Sequence, residues 1–149
     1  MIENGIGSNV FNTEMKYFGE LAQKKEENDK HNKQLNIRHG FGINEYENRE
    51  YYIGDWKNNK RNGSGVYFFN SGNIFTGFFR KDKFINGNFK FVDGTVYNGD
   101  IINNKPDGFG KYLNLDGSIY IGQFQNGSKV NGKLDYVILP NGERKPAQL

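Results

Sequence analysis

The sequence predicts an all-β protein built from consecutive β-hairpins, and two observations support this. Gly provides 20 of the 149 residues, Phe 13 and Tyr 9, whereas Pro provides only 3. This composition is typical of short strands joined by tight turns. The second observation is a recurrent distance of ten residues from a Gly to an aromatic residue, found at Gly7–Tyr17, Gly42–Tyr52, Gly65–Phe75, Gly87–Tyr97 and Gly110–Tyr120. A fixed internal period indicates a repeat architecture.

The regular units each begin with Tyr-x-Gly or Phe-x-Gly. Their first residues are Tyr52, Phe75, Tyr97 and Tyr120, so successive units start 23, 22 and 23 residues apart. This divides the chain into a degenerate region at 1–51, units at 52–74, 75–96, 97–119 and 120–139, and a tail at 140–149. The last unit ends in an aliphatic run with no further Tyr-x-Gly, as terminal capping repeats often do.

Within each unit the side chains alternate with a period of two, as in a β-strand. Tyr52, Gly54 and Trp56 share one face, and Gly65 and Tyr67 share a face after the turn. Each unit is therefore predicted to be a hairpin with one aromatic–glycine face and one mixed face. Gly weakens a strand unless its empty space is used. We expect aromatic rings to lie over the bare glycine backbone and the sheet to curl into a trough.

Residues 13–35 allow two interpretations. In the first, a hairpin carries a polar insertion at about 24–35, because the flanking residues keep the repeat spacing. In the second, Thr13 caps a short helix in which Met15, Phe18, Leu21 and Ala22 form an apolar stripe. Gly19 within that helix would cost about 1 kcal/mol relative to Ala. We favour the insertion.

The motif Tyr-x-Gly-x-Trp, a polar turn, Gly-x-Gly and a further Gly before the next Tyr resembles the MORN repeat (membrane occupation and recognition nexus). The match is best at 52–74 and 97–119 and weaker at 75–96, where Ile85 replaces the first Gly of the pair. The resemblance implies a single-layer, curved antiparallel sheet of consecutive hairpins. It also implies a scaffold or adaptor at a membrane-associated or cytoskeletal structure, with acidic phospholipid as one ligand.

Several function classes have no support in the sequence. Cys is absent, the two His residues are His31 and His39, and no nucleophile or phosphate-loop motif stands in its usual context. We therefore expect no catalytic residue, no metal site and no cofactor. The net charge of +3 is too small to favour nucleic acid. Since no signal peptide or membrane span is evident, we expect a cytoplasmic protein, peripheral at most on a membrane or the cytoskeleton.

Two candidate binding surfaces remain. The first is the aromatic trough, which we expect to hold a protein partner such as an amphipathic helix, or a second copy of the chain as a homodimer. Its predicted lining residues are Tyr52, Trp56, Tyr67, Phe75, Phe79, Phe89, Tyr97, Tyr112, Tyr120 and Phe124. The alternative surface is a basic edge of hairpin tips that would contact acidic lipid, formed by Lys57, Lys60, Arg61, Arg80, Lys81 and Lys83.

Overall fold

The computed structural model describes residues 5–12, 15–25, 34–130, 132 and 135–147, and these form one antiparallel sheet. Its thirteen strands are β1 (Gly5–Asn12), β2 (Met15–Lys25), β3 (Gln34–Glu45), β4 (Tyr51–Lys57), β5 (Lys60–Phe68), β6 (Ile74–Arg80), β7 (Lys83–Lys90), β8 (Val96–Ile102), β9 (Lys105–Leu113), β10 (Ile119–Gln125), β11 (Ser128–Val130), β12 (Tyr136–Ile138) and β13 (Arg144–Pro146). The strands follow one another across the sheet in chain order, except that β11 lies off this path and pairs with β10. This order confirms the predicted single layer of consecutive antiparallel hairpins, and the sheet is open and uncurled rather than curled into a trough.

A ladder of opposed glycines crosses the sheet and fixes its register. From β1 to β10, each strand places one Gly directly opposite the Gly of the next strand. The ladder consists of Gly7, Gly19, Gly42, Gly54, Gly65, Gly77, Gly87, Gly99, Gly110 and Gly122. Because a one-residue slip would move every side chain to the other face, the ladder also decides which side chains share a face.

One face of the sheet, here called the core face, buries its aromatic side chains. Together with Ile101 these form a single cluster of Tyr17, Tyr52, Trp56, Tyr67, Phe75, Phe79, Phe84, Tyr97, Tyr120 and Phe124. The rings meet mainly edge to face, as where Tyr52 contacts Trp56 and Phe79 with centroids 5.1 and 4.9 Å apart. This is the arrangement that aromatic quadrupoles favour. The opposite face, here called the open face, carries the intervening residues of each strand.

The rings that lie over the glycine ladder are buried without a second sheet, as at Tyr97. A Cβ on Gly99 would lie 2.5 Å from the Tyr97 hydroxyl oxygen and 2.7 Å from the Cα of Gly110. The Tyr97 hydroxyl donates a hydrogen bond of 2.8 Å to the carbonyl oxygen of Asp100. Asp100 stands at a β-bulge, where the ladder is interrupted. The ring therefore fills the space over glycine and also satisfies a bulge carbonyl.

The hairpin tips are two-residue turns. Asn58 and Asn59 have φ of 51° and 66°, and Asn103 and Asn104 have φ of 51° and 62°. Positive φ at both central residues defines the type I′ turn, which suits the twist of a hairpin and which Asn tolerates better than most residues. The polar stretch from Asn58 to Asn62 is thus only partly turn, and Lys60 already begins β5.

The N-terminal region continues the hairpin pattern. β2 and β3 pair through Leu21↔Arg38 to Lys25↔Gln34, beyond the length of the other hairpins. Residues 15–25 and 34–35 are therefore strand, and the helical interpretation is wrong there because Gly19 takes its place in the ladder. The remainder of the predicted insertion, 26–33, and the proposed helix cap at Thr13 lie outside the described residues.

The last unit closes the glycine ladder with a carboxylate. The outer edge of β10 pairs with β11 along one half and with β12 along the other. Asp135, which precedes β12, is buried against Gly122 and accepts hydrogen bonds from the Tyr120 hydroxyl (2.7 Å) and the Gly132 amide (2.8 Å). Asp135 therefore occupies the position that a further glycine strand would fill.

Candidate functional site

The ten residues of the predicted trough all lie on the core face, where they pack against one another. Eight are buried, and only Phe89 and Tyr112 are half-buried at the margin of the cluster. Burial raises the pKa of the Tyr97 hydroxyl to about 12, so it remains a hydrogen-bond donor at neutral pH. Binding of a partner by these ten side chains stays a prediction, but their rings contribute little accessible surface.

Cationic side chains cover the outside of the aromatic cluster. The Arg61 guanidinium carbon lies 5.1 Å from the Tyr67 ring centroid and 5.5 Å from that of Phe79. Arg38, one repeat earlier, lies 4.3 Å from the Trp56 centroid, and Lys129 lies 4.7 Å from that of Tyr112. Such cation–π contacts shield the rings from water and leave the core face closed.

Arg61 is therefore not part of an exposed basic edge. Its guanidinium donates to the carboxylate and the carbonyl oxygen of Asp82, at 3.3 and 2.8 Å, and its side chain is only 15% exposed. The reason is that β5 begins at Lys60, which turns Arg61 onto the core face opposite Trp56. The other five predicted residues are exposed at the hairpin tips, and none makes an ion pair within the described part of the chain: Lys57, Lys60, Arg80, Lys81 and Lys83.

The open face carries the accessible apolar surface. Several large side chains on it are exposed, including Phe18 (61%), Phe41 (53%) and Phe78 (56%). We define the apolar patch as the contiguous set Phe18, Phe41, Ile43, Tyr51, Ile53, Val66, Phe68 and Phe78. Since the sheet is a single layer, no other element of the described chain packs over this patch.

The central part of the open face is apolar only in its N-terminal half. Directly opposed residues form a central row across the strands. This row reads Phe18, Ile43, Ile53, Val66, Thr76, Asn88, Asn98 and Lys111 from β2 to β9. Four apolar residues are followed by four polar ones. The patch thus ends near β6 and not at the end of the sheet.

A groove of about 420 Å³ lies within the apolar patch. Phe41 and Phe78 stand at its two ends, Ile53 and Val66 line it, and its floor includes the bare backbone of the glycine ladder. Asp55 also lines the groove and accepts a 2.9 Å hydrogen bond from the Ser64 amide. A cleft with apolar walls and few polar groups is typical of a binding site.

The exposure of Phe78 follows from the missing residue in the 75–96 unit. In the unit at 52–74, Asp55 faces three residues of β5, and its side chain lies over Gly63, which has φ of 119°. In the 75–96 unit only Ile85 is left unpaired, between Phe79↔Phe84 and Phe78↔Asn86. There Phe78 takes the position of the acidic residue and, without a glycine to pack over, projects into solvent.

The described residues contain neither a metal-binding cluster nor a membrane-spanning helix. No group of three or more His, Cys, Asp or Glu side chains there is placed to hold a metal ion. None of the described segments is a helix with the length and apolar character needed to cross a membrane. What the open face offers is a surface for contact.

The fold and the site define a class of protein, namely a single-sheet hairpin-repeat protein with one closed aromatic face and one accessible apolar face. Residues 52–74 and 97–119 match the MORN repeat family. The chain therefore contains MORN repeats at these two places. These are the two units that the sequence identified as the most regular.

Comparisons with individual proteins add little. No curated protein is significantly similar to the sequence. Among solved structures, the chain is similar to the TCP domain of SAS-4 (dCPAP) from Drosophila melanogaster, solved in complex with a proline-rich motif of Ana2 (dSTIL). The identity is 14%, the TM-score is 0.30, and the likeness covers 95% of this chain and 90% of that chain. At this TM-score it carries no inference about function.

The sequence analysis missed the apolar patch, although two signals for it are present. Phe41 and Phe109 stand between the two glycines of a Gly-x-Gly pair, a position that must face away from the aromatic side. Phe78 occupies the acidic position of its unit, in the hairpin where Ile85 replaces the first Gly of the pair. Both features place large apolar residues on the face described as mixed.

Proposed function

We propose that the protein is a non-enzymatic scaffold or adaptor that binds a protein partner on the open face of its sheet. The observation that carries the proposal is the exposed, contiguous apolar patch around Phe41 and Phe78. Soluble monomers seldom leave such a patch uncovered, because burying it is favourable by about 25 cal/mol per Å². We place this activity in the cytoplasm, at a membrane-associated or cytoskeletal structure.

The division of roles between the two faces supports this proposal. On the core face, rings and glycines stabilise the sheet, so a partner bound there would have to displace Arg38 or Arg61. On the open face, by contrast, the apolar side chains of the patch are available without any rearrangement. A pre-formed surface loses little conformational entropy on binding.

Affinity capture with chemical cross-linking tests the proposal. The Phe41→Ser/Phe78→Ser double variant should lose a partner that the parent protein captures from the organism that expresses it. The matched control is Phe109→Ser/Val92→Ser, which also removes two exposed apolar side chains, 54% and 73% exposed, but outside the patch. Equal recovery of the partner with both double variants would contradict the proposal.

A second candidate function is a peripheral membrane module that binds acidic phospholipid. It is favoured by the five exposed and unpaired cations at the hairpin tips. Each such residue close to an anionic leaflet contributes about 1 kcal/mol. Co-sedimentation with vesicles should then require anionic lipid and weaken as salt is added. Binding that is insensitive to salt, or no binding, would eliminate this candidate.

A further inference from the structure

We infer that the partner is an acidic amphipathic helix that lies across strands β2–β6, at right angles to them, with its apolar side on the apolar patch. This inference rests on the proposed function and specifies its partner. Four properties of the open face lead to it: complete strand pairing, the direction of the patch, its width, and the charge beside it.

A strand is excluded as the occupant by the pairing of the sheet. Strands β3, β4, β5 and β6 are each hydrogen-bonded to a strand on both sides. An added β-strand needs a free edge that presents unpaired amide and carbonyl groups. The patch therefore offers side chains alone, and a partner must satisfy its own backbone hydrogen bonds, as a helix does.

The direction and size of the patch match one helix. Its central row runs across the strands from Phe18 on β2 through Ile43 and Ile53 to Val66 on β5. On β6, Phe78 extends the patch from the neighbouring row, two residues closer to the hairpin tip. Five strands spaced about 4.8 Å apart span about 19 Å, the length of about 13 helical residues. The patch occupies three rows of side chains and measures about 13 Å along the strands, so a helix about 10–12 Å wide covers the central row and most of the rows on either side.

Cationic side chains lie beside the patch, at its edge nearest the tips of the β4–β5 and β6–β7 hairpins. On the open face, Lys57 follows Asp55 by two residues and Arg80 follows Phe78 by two, so each lies one row beyond the groove. Lys60 and Lys83 stand opposite them across the hairpins. All four are exposed and make no ion pair within the described chain. Acidic side chains along the corresponding flank of the helix would pair with them.

The acidic residues near the groove are held in place by hydrogen bonds. Asp55 accepts a hydrogen bond from the Ser64 amide, and Glu20 accepts one of 3.1 Å from the Phe41 amide. Both carboxylates are thus held by the backbone close to the sheet. On the turn side, Glu45 accepts a hydrogen bond from the Tyr51 hydroxyl. The side chains that project freely beside the patch are cations.

The test uses two stapled synthetic helices of about 14 residues, which share one leucine stripe at i, i+3, i+4 and i+7 and differ only in carrying Glu or Lys on the flanks. Affinity is measured by fluorescence anisotropy with the full chain at low and at high salt. We expect the Glu helix to bind about tenfold more tightly than the Lys helix at low salt, a difference that added salt reduces.

Matched variants locate the contact. Lys57→Glu/Lys60→Glu should reverse the preference for the Glu helix, whereas Lys111→Glu/Lys145→Glu, with the same change in net charge, should not. Phe78→Ser should weaken both helices about tenfold or more, since truncating an apolar anchor residue costs that much. Phe109→Ser should not, because Phe109 is equally exposed but lies beside the polar half of the central row.

Several outcomes would overturn the inference. Equal affinity for the two helices, tighter binding of the Lys helix, or equal damage by Phe78→Ser and Phe109→Ser would each do so. Vesicles of phosphatidylcholine with and without phosphatidylserine form a separate arm. Anionic-vesicle binding that Lys57→Glu/Lys60→Glu abolishes and Phe78→Ser preserves would assign the cations to a membrane and also overturn it.

The capture experiment separates failure of this inference from failure of the proposed function. If neither synthetic helix binds but the Phe41→Ser/Phe78→Ser variant still loses its captured partner, the inference fails and the proposed function stands. If the variant keeps its partner as well, both fail.

Discussion

The two faces of the sheet carry many of the same residue types, yet one is closed and the other is accessible. On the core face, most strand positions are glycine or aromatic residues, and the rings of Tyr52, Phe75 and Tyr97 lie in the space that glycines leave. On the open face, Ile53, Val66 and their neighbours all carry side chains beyond Cα. A ring such as Phe78 therefore cannot pack flat against the backbone. A single-layer sheet can thus bury one face by itself, provided that this face contains the glycines.

The largest expected effect comes from filling the space under a ring. Gly99→Ala places a Cβ 2.6 Å from the Phe109 carbonyl oxygen and 2.7 Å from the Cα of Gly110, which the backbone must move to accommodate. We expect a loss of about 3 kcal/mol in the free energy of unfolding. Urea denaturation measures it. Asn98→Ala, at the next residue and on the open face, is the control, and an equal loss there would contradict the division of the two faces.

The end of the glycine ladder is the next most sensitive point. Asp135→Ala removes the side-chain acceptor of the Gly132 amide and one of the three acceptors of the Tyr120 hydroxyl, and we expect a loss of about 2 kcal/mol. Burial alone raises the pKa of Asp135, but its hydrogen bonds from Tyr120, Gly132 and Gln123 hold it below the usual value. Its contribution is therefore present above about pH 4 and is lost as the pH falls through the lowered pKa.

Thermal unfolding of Asp135→Ala at neutral and acidic pH measures this contribution. The variant should differ most from the parent at neutral pH and approach it under acid conditions. Glu143→Ala, at a nearby exposed carboxylate, should change little. A constant difference between Asp135→Ala and the parent at every pH would show that the carboxylate charge does not matter.

The hairpin pattern and the register could be predicted from the sequence because the ten-residue Gly-to-aromatic distance allows one pairing. The sequence could not predict which face remains accessible. The alternation of side chains with a period of two assigns each residue to one of two faces, but it does not show which face is buried. The position of Arg61 on the core face was not predicted because the length of the turn before it was overestimated. Asn58 to Asn62 is polar throughout, but the type I′ turn uses only Asn58 and Asn59, so Arg61 returns to the strand and points to the core face.

Alkaline pH should weaken the core face selectively. Burial raises the pKa of Tyr17 and Tyr97 to about 12, above the value near 10 of the unfolded chain. Their contribution to stability is complete below pH 10 and falls above it, by up to about 1.4 kcal/mol per pH unit for each tyrosine until its folded pKa is reached. Denaturation between pH 8 and 11 measures the slope, which Tyr97→Phe should reduce and the exposed Tyr51→Phe should not.

The hydroxyl of Tyr97 has a smaller effect at neutral pH. Tyr97→Phe removes its bond to the Asp100 carbonyl oxygen and should cost about 1 kcal/mol. The 75–96 unit has Phe75 at the position equivalent to Tyr97. Its ring covers Gly77 and Gly87 without a hydroxyl, and the bulge of that unit is shorter. Phe75→Tyr should therefore bring no gain in stability. A stabilisation as large as the loss in Tyr97→Phe would contradict this account of the bulge.

The smallest expected change in stability lies on the open face. Phe78→Ser should alter the free energy of unfolding by no more than about 0.5 kcal/mol, because the side chain is 56% exposed. Phe79→Ser, one residue later and 3% exposed, should cost about 3 kcal/mol. Calorimetry of this adjacent pair compares the two faces directly. Similar losses would mean that the open face also contributes to the core.

The order of strands across the sheet has a consequence for how such a surface changes over evolution. Each hairpin is joined to the previous and the next hairpin along the chain. Within the described residues this pattern changes at the C-terminal side, where β10 pairs with both β11 and β12 and the carboxylate of Asp135 ends the glycine ladder. A unit can therefore be gained or lost in the middle by joining equivalent glycines, without redesign of the rest. A one-residue change inside a unit, such as the shortening beside Ile85, alters what the surface displays while the register is kept. The number of repeat units and the residues that the surface presents to a partner can thus change independently during evolution.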